Sequence, residues 1–184
     1  MTRQGDGRRL RLKRIIILGT SGAGKTTLAG QLARRLRIPH IASDPFYWEL
    51  GWQPTPAGVV RQRLFGATSG DRWVLDGNCV TDRDVVWARA DTAIWLDYSR
   101  AVIMRRVIVR NLRWLVSGEA VWSGNHVTWN WAWSGVAHAY SGYSKKRATY
   151  PGFFSEFPHL NVLRLSTPQE ADRWLKTVWG TGSE

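Results

Sequence analysis

One stretch near the amino terminus fixes much of what this chain can become: Ile-Leu-Gly-Thr-Ser-Gly-Ala-Gly-Lys-Thr-Thr-Leu, residues 17–28. Gly19, Gly24, Lys25 and Thr26 match the spacing G-x-x-x-x-G-K-[ST]. Before it, the apolar run Ile15 to Leu18 predicts a strand buried on both faces. After it, Leu28, Leu32 and Leu36 recur at helical spacing with Ala29 and Ala33 beside them, leaving Gln31, Arg34, Arg35 and Arg37 for water. Strand, glycine-rich turn and helix N-terminus thus stand in the order an anion cradle requires. Glycines let backbone N–H groups converge on the anion, and the helix dipole adds favourable potential. We read Gly19, Ser21, Gly22, Ala23, Gly24, Lys25, Thr26 and Thr27 as the cradle for the phosphates of a nucleoside triphosphate. Lys25 would reach the β- and γ-phosphates, and Thr26 would set its hydroxyl on Mg²⁺.

Downstream, Ile38 to Ala42 predicts a short strand ending at Ser43-Asp44, and Pro45 to Pro56 an irregular segment. A helix over Ala57 to Thr68 follows. Trp73-Val-Leu-Asp76 and Ala93-Ile-Trp-Leu-Asp97 predict two more strands, each ending in an acid; Asn161 to Leu165 predicts the last strand and Pro168 to Val178 the last helix. Strands alternating with helices specify a parallel sheet covered on both faces, whose ligands bind beyond the strands' carboxyl ends. That rim gathers Asp44, Asp76, Asn78 and Asp97 beside the phosphate loop. Ser117 to Tyr143 is ambiguous: Trp129, Trp131 and Trp133 alternate as in a strand, while Trp129, Trp133, Ala137 and Ser141 keep helical spacing. We read it as helix.

At 184 residues one domain is the default. No stretch is long enough to span a membrane. The lone Cys79 cannot pair internally, which fits a reducing cytoplasm. The histidines lack metal-ligand spacing. The net charge is +12. Arg3, Arg8, Arg9, Arg11, Lys13 and Arg14 face only Asp6 at the amino terminus and are expected to form a disordered tail. Nucleic acid is a possible but less favoured partner for it. A second basic cluster runs from Arg100 to Arg113 and includes Arg105, Arg106 and Arg110; a third is Lys145-Lys146-Arg147. Internal basic clusters in a phosphate-binding chain suit neutralisation of the transferred group.

Taken in order, the motifs resemble the adenylate-kinase-like phosphotransferases, and within them the DNA topology modulation protein group. They are the GTSGAGKTTLA loop, Asp44-Pro-Phe-Tyr-Trp48 with Gly51-Trp52, Trp73-Val-Leu-Asp-Gly-Asn78, Ala88-Arg-Ala-Asp-Thr92, Trp122-Ser-Gly-Asn125, Tyr150-Pro151 and Leu163-Arg-Leu-Ser-Thr-Pro168. The resemblance implies an α/β P-loop NTPase three-layer sandwich with a five-stranded parallel sheet, over residues 14–184, and a mobile basic lid and substrate region at about 111–150. It implies ATP and Mg²⁺ as cofactors, with Asp76 holding the metal through water. It places Arg110 near adenine and phosphates, puts Lys146 and Arg147 in the lid with Arg147 catalytic, and sets Thr167 and Pro168 against the adenine. The family's Asp-Gly-Phe-Pro-Arg stretch is replaced here by Asp76-Gly-Asn-Cys-Val80, so its monophosphate-gripping arginine is missing; Arg83 and Arg89 are candidate substitutes, although neither matches by position.

The acceptor side is less plainly written. A hydroxyl acceptor loses a proton and benefits from a carboxylate; Asp44 suits that role, its alternative being to cap the turn before Pro45. Trp48, Asn78, Arg83 and Arg106 are the other candidate substrate ligands. The leading expectation is an ATP-dependent kinase of a small molecule or nucleotide. A nucleotide-dependent regulator or nucleic-acid-binding protein is the alternative. A GTPase switch is weakest, because Asn-Lys-x-Asp is missing. Oligomeric state is not legible.

Overall fold

The computed structural model describes residues 12–178. Most of the amino-terminal tail expected over residues 1–13 therefore lies outside the described residues. Five strands form one parallel sheet: β1 (Arg14–Gly19), β2 (His40–Ala42), β5 (Trp73–Asp76), β6 (Thr92–Leu96) and β7 (Asn161–Leu165). Their spatial order is β2-β5-β1-β6-β7. The phosphate-loop strand is central, with Ile15 opposite Val74 on one side and Thr92 on the other. A second, two-stranded antiparallel ribbon pairs β3 (Trp48–Glu49) with β4 (Gln53–Pro54). It lies inside the segment expected to be irregular.

The helices are α1 (Lys25–Leu36), α2 (Ala57–Ala67), α3 (Arg83–Val86), α4 (Arg100–Ser117), α5 (Trp129–Glu156) and α6 (Pro168–Thr177). Because side chains alternate along a strand, the sheet feeds two cores. Ile15, Ile17, Ile94 and Leu96 pack with α1, α4 and α6. Ile16, Leu18, Leu75 and Trp95 pack with α2 and α3 on the opposite face. This is a three-layer α/β sandwich. No helix of the described residues is long and apolar enough to cross a membrane.

The region expected to hold the basic lid, about residues 111–150, comprises the end of α4, a loop and most of α5. Asn111 to Ser117 close α4, Gly118 ends that helix in a left-handed conformation, and a loop with a 3-10 turn at Trp122–Gly124 leads into α5. Helix thus begins at Trp129, not at Ser117, and runs on to Glu156 with Pro151 inside it. Thr128 caps it, accepting a hydrogen bond from the Trp131 amide at 3.3 Å. Along its length α5 passes from one face of the sheet to the other. Ala139 and Tyr143 join the first core, whereas Tyr150, Phe153 and Phe154 join the second. Where it crosses the rim, Arg147 donates from Nε to Asp97 Oδ1 at 2.6 Å, and Arg164 of β7 grips the other oxygen. Asp97 is buried, so this clamp ties the helix to the carboxyl ends of β6 and β7.

Candidate functional site

The loop between β1 and α1 is held open by backbone geometry that only glycine satisfies. Gly22 sits at φ 83°, and a Cβ there would lie 2.5 Å from the Val107 side chain of α4. Gly77 closes the neighbouring strand at φ 141° with Ser43 Oγ in the space a side chain would fill. The residue capping α1 is Gly24, which offers no side-chain acceptor, and the first turn contains no acid. The amides opening α1 are therefore uncapped by any side chain and available to an anion.

A cleft of about 480 Å³ opens over this loop. Its floor is Ser21 to Thr27. It is lined as well by Gln31, Tyr98, Pro168, Ala171 and Asp172, by Arg106 and Arg110, and by Asp44, Trp114 and Trp122. These last three are grouped at one end by the Trp114–Trp122 ring contact at 6.1 Å and the hydrogen bond from Ser123 to the Pro45 carbonyl. Of the residues read from sequence, the fold brings Ser21, Gly22, Ala23, Gly24, Lys25, Thr26, Thr27, Asp44, Arg106, Arg110 and Pro168 into this one space.

Its electrostatics are those of a cationic trough. Burial pushes the Lys25 pKa down, although Asp44 and Asp76 pull it back up. Arg110 is likewise desolvated, and Asp44 partly offsets that. Its Nη2 donates to Ser21 Oγ at 3.0 Å and its guanidinium lies 4.6 Å from the Trp114 ring centroid. Its Nε is buried with no hydrogen-bond partner. Arg106 donates to the Ala23 carbonyl at 3.1 Å. From α5, Lys146 adds a cation whose pKa is lowered to about 8, by burial first and then by Lys25 and Lys145.

Asp44 opens a 3-10 turn, Asp44–Phe46. The turn is capped by Ser43 without a side-chain hydrogen bond, so the Asp44 carboxylate is not spent on capping it. Burial raises its pKa, with Lys25 opposing. Asp76 ends β5, buried, with His40 Nε2 at 3.2 Å from one carboxylate oxygen. Thr26 is exposed and lines the cleft. These oxygen donors fit Mg²⁺, which keeps several waters and needs only one or two carboxylates beside substrate phosphates. No group of three or more His, Cys, Asp and Glu able to hold a metal by itself exists among the described residues.

Other expected ligands lie elsewhere. Asn78 gives its amide oxygen to the Gly19 N–H at 3.0 Å, bracing the base of the phosphate loop. Arg83 binds Glu156 at 2.8 Å and the Val80 carbonyl at 3.0 Å, away from the cleft, because α3 faces the carboxyl end of α5. Arg147 is occupied by Asp97, and it is Lys146 that feels Lys25. Thr167 caps α6 by accepting from the Glu170 amide at 3.1 Å, leaving Pro168 to face the cleft. Trp48 packs edge-on against Trp52, with centroids 5.7 Å apart, behind the wall that Trp122 presents. Sequence placed Lys146 in the lid, Asp97 on the ligand rim and Trp48 among the candidate substrate ligands; the cleft-lining Trp114 and Trp122 were not assigned site roles, and the Trp-x-Gly-Asn motif was the signal for Trp122.

No protein-family model matches the chain. Adenylate kinase 1 of Nostoc sp. is 33% identical over 86 residues, covering 36% of this chain and 47% of that protein. The uncharacterized protein YqaC of Bacillus subtilis is 34% identical over 67 residues, covering 35% of this chain and 38% of that protein. The chain thus spans less than half the length of the curated relatives it matches. Among solved structures, shikimate kinase from Acinetobacter baumannii in complex with shikimate superposes with a TM-score of 0.55 at 19% identity, covering 91% of this chain and 90% of that one. Shikimate kinase from Bacteroides thetaiotaomicron gives 0.55 at 16% identity, covering 89% and 94%. Five parallel strands, the glycine loop and these neighbours agree: the chain has the P-loop NTPase kinase fold.

Proposed function

We propose that this chain is an ATP- and Mg²⁺-dependent phosphotransferase that delivers the γ-phosphate to a hydroxyl group. The observation that carries the reading is the pairing of Lys25 with Asp44 across one cleft. Each lines it, and each biases the other's protonation. Phosphoryl transfer asks mainly for positioning and charge neutralisation. Here the uncapped amides of α1, Lys25, Arg110 and Lys146 neutralise the phosphates, and Arg106 with Pro168 flanks the nucleobase end. Thr26 and Asp76 would hold Mg²⁺, and the ion when bound would supply charge neutralisation for the transferred phosphoryl group. Asp44 accepts the proton that the attacking hydroxyl gives up, and its burial moves its pKa toward the working range of a general base. Asn78 keeps Gly19 in register so that the loop amides converge.

The motif order extends the proposal to the DNA topology modulation group of adenylate-kinase-like proteins. Adenylate kinase 1 among the relatives, and shikimate kinases among the folds, support a phosphotransferase of small molecules. ATP consumption by the purified protein with Mg²⁺, measured against a panel of acceptors, tests the reading. Acceptor-stimulated turnover that is lost in Lys25→Ala supports it, and ATP binding without turnover on any acceptor contradicts it.

A further inference from the structure

The acceptor end of the cleft has a composition that narrows what fits there. Its faces are Asp44, Trp114 and Trp122. Behind Trp122 the indoles of Trp52 and Trp131 stack at 3.9 Å between centroids, and Trp122 meets Trp131 edge-on at 5.7 Å. This wall is fixed rather than loosely packed. Asn125, buried, accepts from the Trp52 amide at 2.8 Å and donates to the Glu49 carbonyl at 3.0 Å and the Trp122 carbonyl at 2.8 Å. Trp52 Nε1 donates to the His126 carbonyl at 3.0 Å. Ser123 bonds the Trp48 and Pro45 carbonyls. The wall is thereby bolted to the turn that carries Asp44.

The cations of the surrounding elements are already spent. Arg63 pairs with Glu49 at 2.8 Å, Arg61 with Asp84, and Arg83 with Glu156 at 2.8 Å. Arg89 donates to the Phe65 carbonyl at 2.9 Å and lies over the Phe65 ring. Lys25, Arg106 and Arg110 line the cleft, and Lys146 lies within electrostatic reach of Lys25. None of the four forms an ion pair among the described residues. Lys25 and Arg110 already feel Asp44, and the nucleotide's own three phosphates need all four. The one arginine at this end, Arg110, lies over the Trp114 ring, is bonded to Ser21 of the phosphate loop and is already offset by Asp44. A phosphorylated or carboxylated acceptor would bring a second anion beside Asp44 and compete with the nucleotide for that one guanidinium, and two like charges in a desolvated cleft repel strongly. Flat indoles with one carboxylate beside them are suited to a ring that stacks on its face and offers a hydroxyl at its edge.

Resting on the phosphotransferase reading above, we infer that the acceptor is an uncharged, ring-shaped alcohol, seated against Trp122 with one hydroxyl toward Asp44. Nucleosides, sugars and cyclitols share this chemistry. Nucleoside monophosphates and ring carboxylates do not.

The test compares adenosine, thymidine, glucose and myo-inositol with AMP, thymidine monophosphate, glucose 6-phosphate and shikimate. Two readouts are used: ADP release with Mg²⁺–ATP, and saturable change of tryptophan fluorescence in protein loaded with a non-hydrolysable ATP analogue. The expected result is that at least one uncharged compound binds and is turned over with kcat/KM at least tenfold above that of its charged counterpart. Trp122→Ala should then raise its KM tenfold or more with ATP affinity unchanged, while Trp122→Phe keeps KM within threefold. A charged compound that outperforms its uncharged parent overturns the inference while leaving the kinase reading standing. Saturable binding of an uncharged ring alcohol without turnover of any compound sinks the kinase reading and overturns the acceptor role with it, leaving a ring-binding site only. No saturable binding of any uncharged compound, in protein that still binds the ATP analogue, overturns the inference.

Discussion

At the residue scale, the proposed function assigns the chemistry to three side chains: Lys25 from the loop, Asp44 from the turn after β2, and Lys146 from α5. Lys25→Ala is expected to lower the rate of phosphoryl transfer about 100-fold, as loss of one preorganised charge donor does elsewhere. Asp44→Asn should cost roughly 100-fold in kcat with ATP binding intact, which equilibrium nucleotide binding beside steady-state kinetics will show. Lys146 gives a pH signature. In the unliganded protein it loses its proton as pH rises through about 8. A triphosphate pairs with the charged form, so binding takes up a proton and affinity falls as pH climbs past that point. The sign for stability is opposite: the unfolded chain keeps its proton up to about 10.5, so the unliganded fold gains stability from this group as pH rises from about 8 toward that value. ATP titrations from pH 7 to 9.5 should show the decline in affinity, and Lys146→Met should flatten it. Here sequence reading had a clear limit. The loop was legible because glycine spacing is a backbone requirement visible in the residues themselves. Choosing between Lys146 and Arg147 was not, because consecutive residues point about 100° apart on a helix. Without the phase of α5, either side chain fits the basic run.

At the scale of elements, the β1–loop–α1 unit and the later strands could be read from apolar runs and periodicity. Helix α5 was harder. Its first turns, Trp-Asn-Trp-Ala-Trp-Ser-Gly, are poor helix formers, and its apolar residues serve two different cores, so they do not line up as one stripe. Asn78 illustrates the same limit: a turn residue's sequence does not disclose that its amide will meet Gly19 fifty-nine positions away. What holds α5 in place is tertiary, and the Asp97 clamp is its most polar part. Asp97→Asn removes the charge from hydrogen bonds to two guanidinium groups and should destabilise the fold by about 2 kcal/mol, read from urea unfolding at neutral pH. An unchanged midpoint would mean that apolar packing alone positions the helix.

For the molecule as a whole, charge is arranged by the polarity of the parallel sheet. Strand carboxyl ends gather the cleft cations. Strand amino ends and helix carboxyl ends gather Lys13, Arg34, Arg37 and Lys176, none of which forms an ion pair among the described residues. Arg72 and Arg35 join them through the Leu36 and Leu175 carbonyls, at 3.4 and 2.9 Å. With a net charge of +12, self-repulsion opposes compaction. Raising salt from about 0.01 to about 0.1 M shortens the screening length from roughly 30 to roughly 10 Å. The melting temperature should rise by roughly 3 °C, the equivalent of about 1 kcal/mol for a domain of this size. A fall with salt would mean that the clamps and pairs outweigh the repulsion.

The central claim is that one cleft joins a phosphate loop to a general base for phosphoryl transfer. Its most direct measurement is single-turnover transfer of radiolabelled γ-phosphate from ATP to an uncharged ring alcohol, in wild type, Lys25→Ala and Asp44→Asn side by side. The expected result is a labelled acceptor in wild type, with transfer about 100-fold slower in both variants while Asp44→Asn still binds ATP. Label that remains on ATP in wild type, or transfer undiminished in either variant, would contradict it.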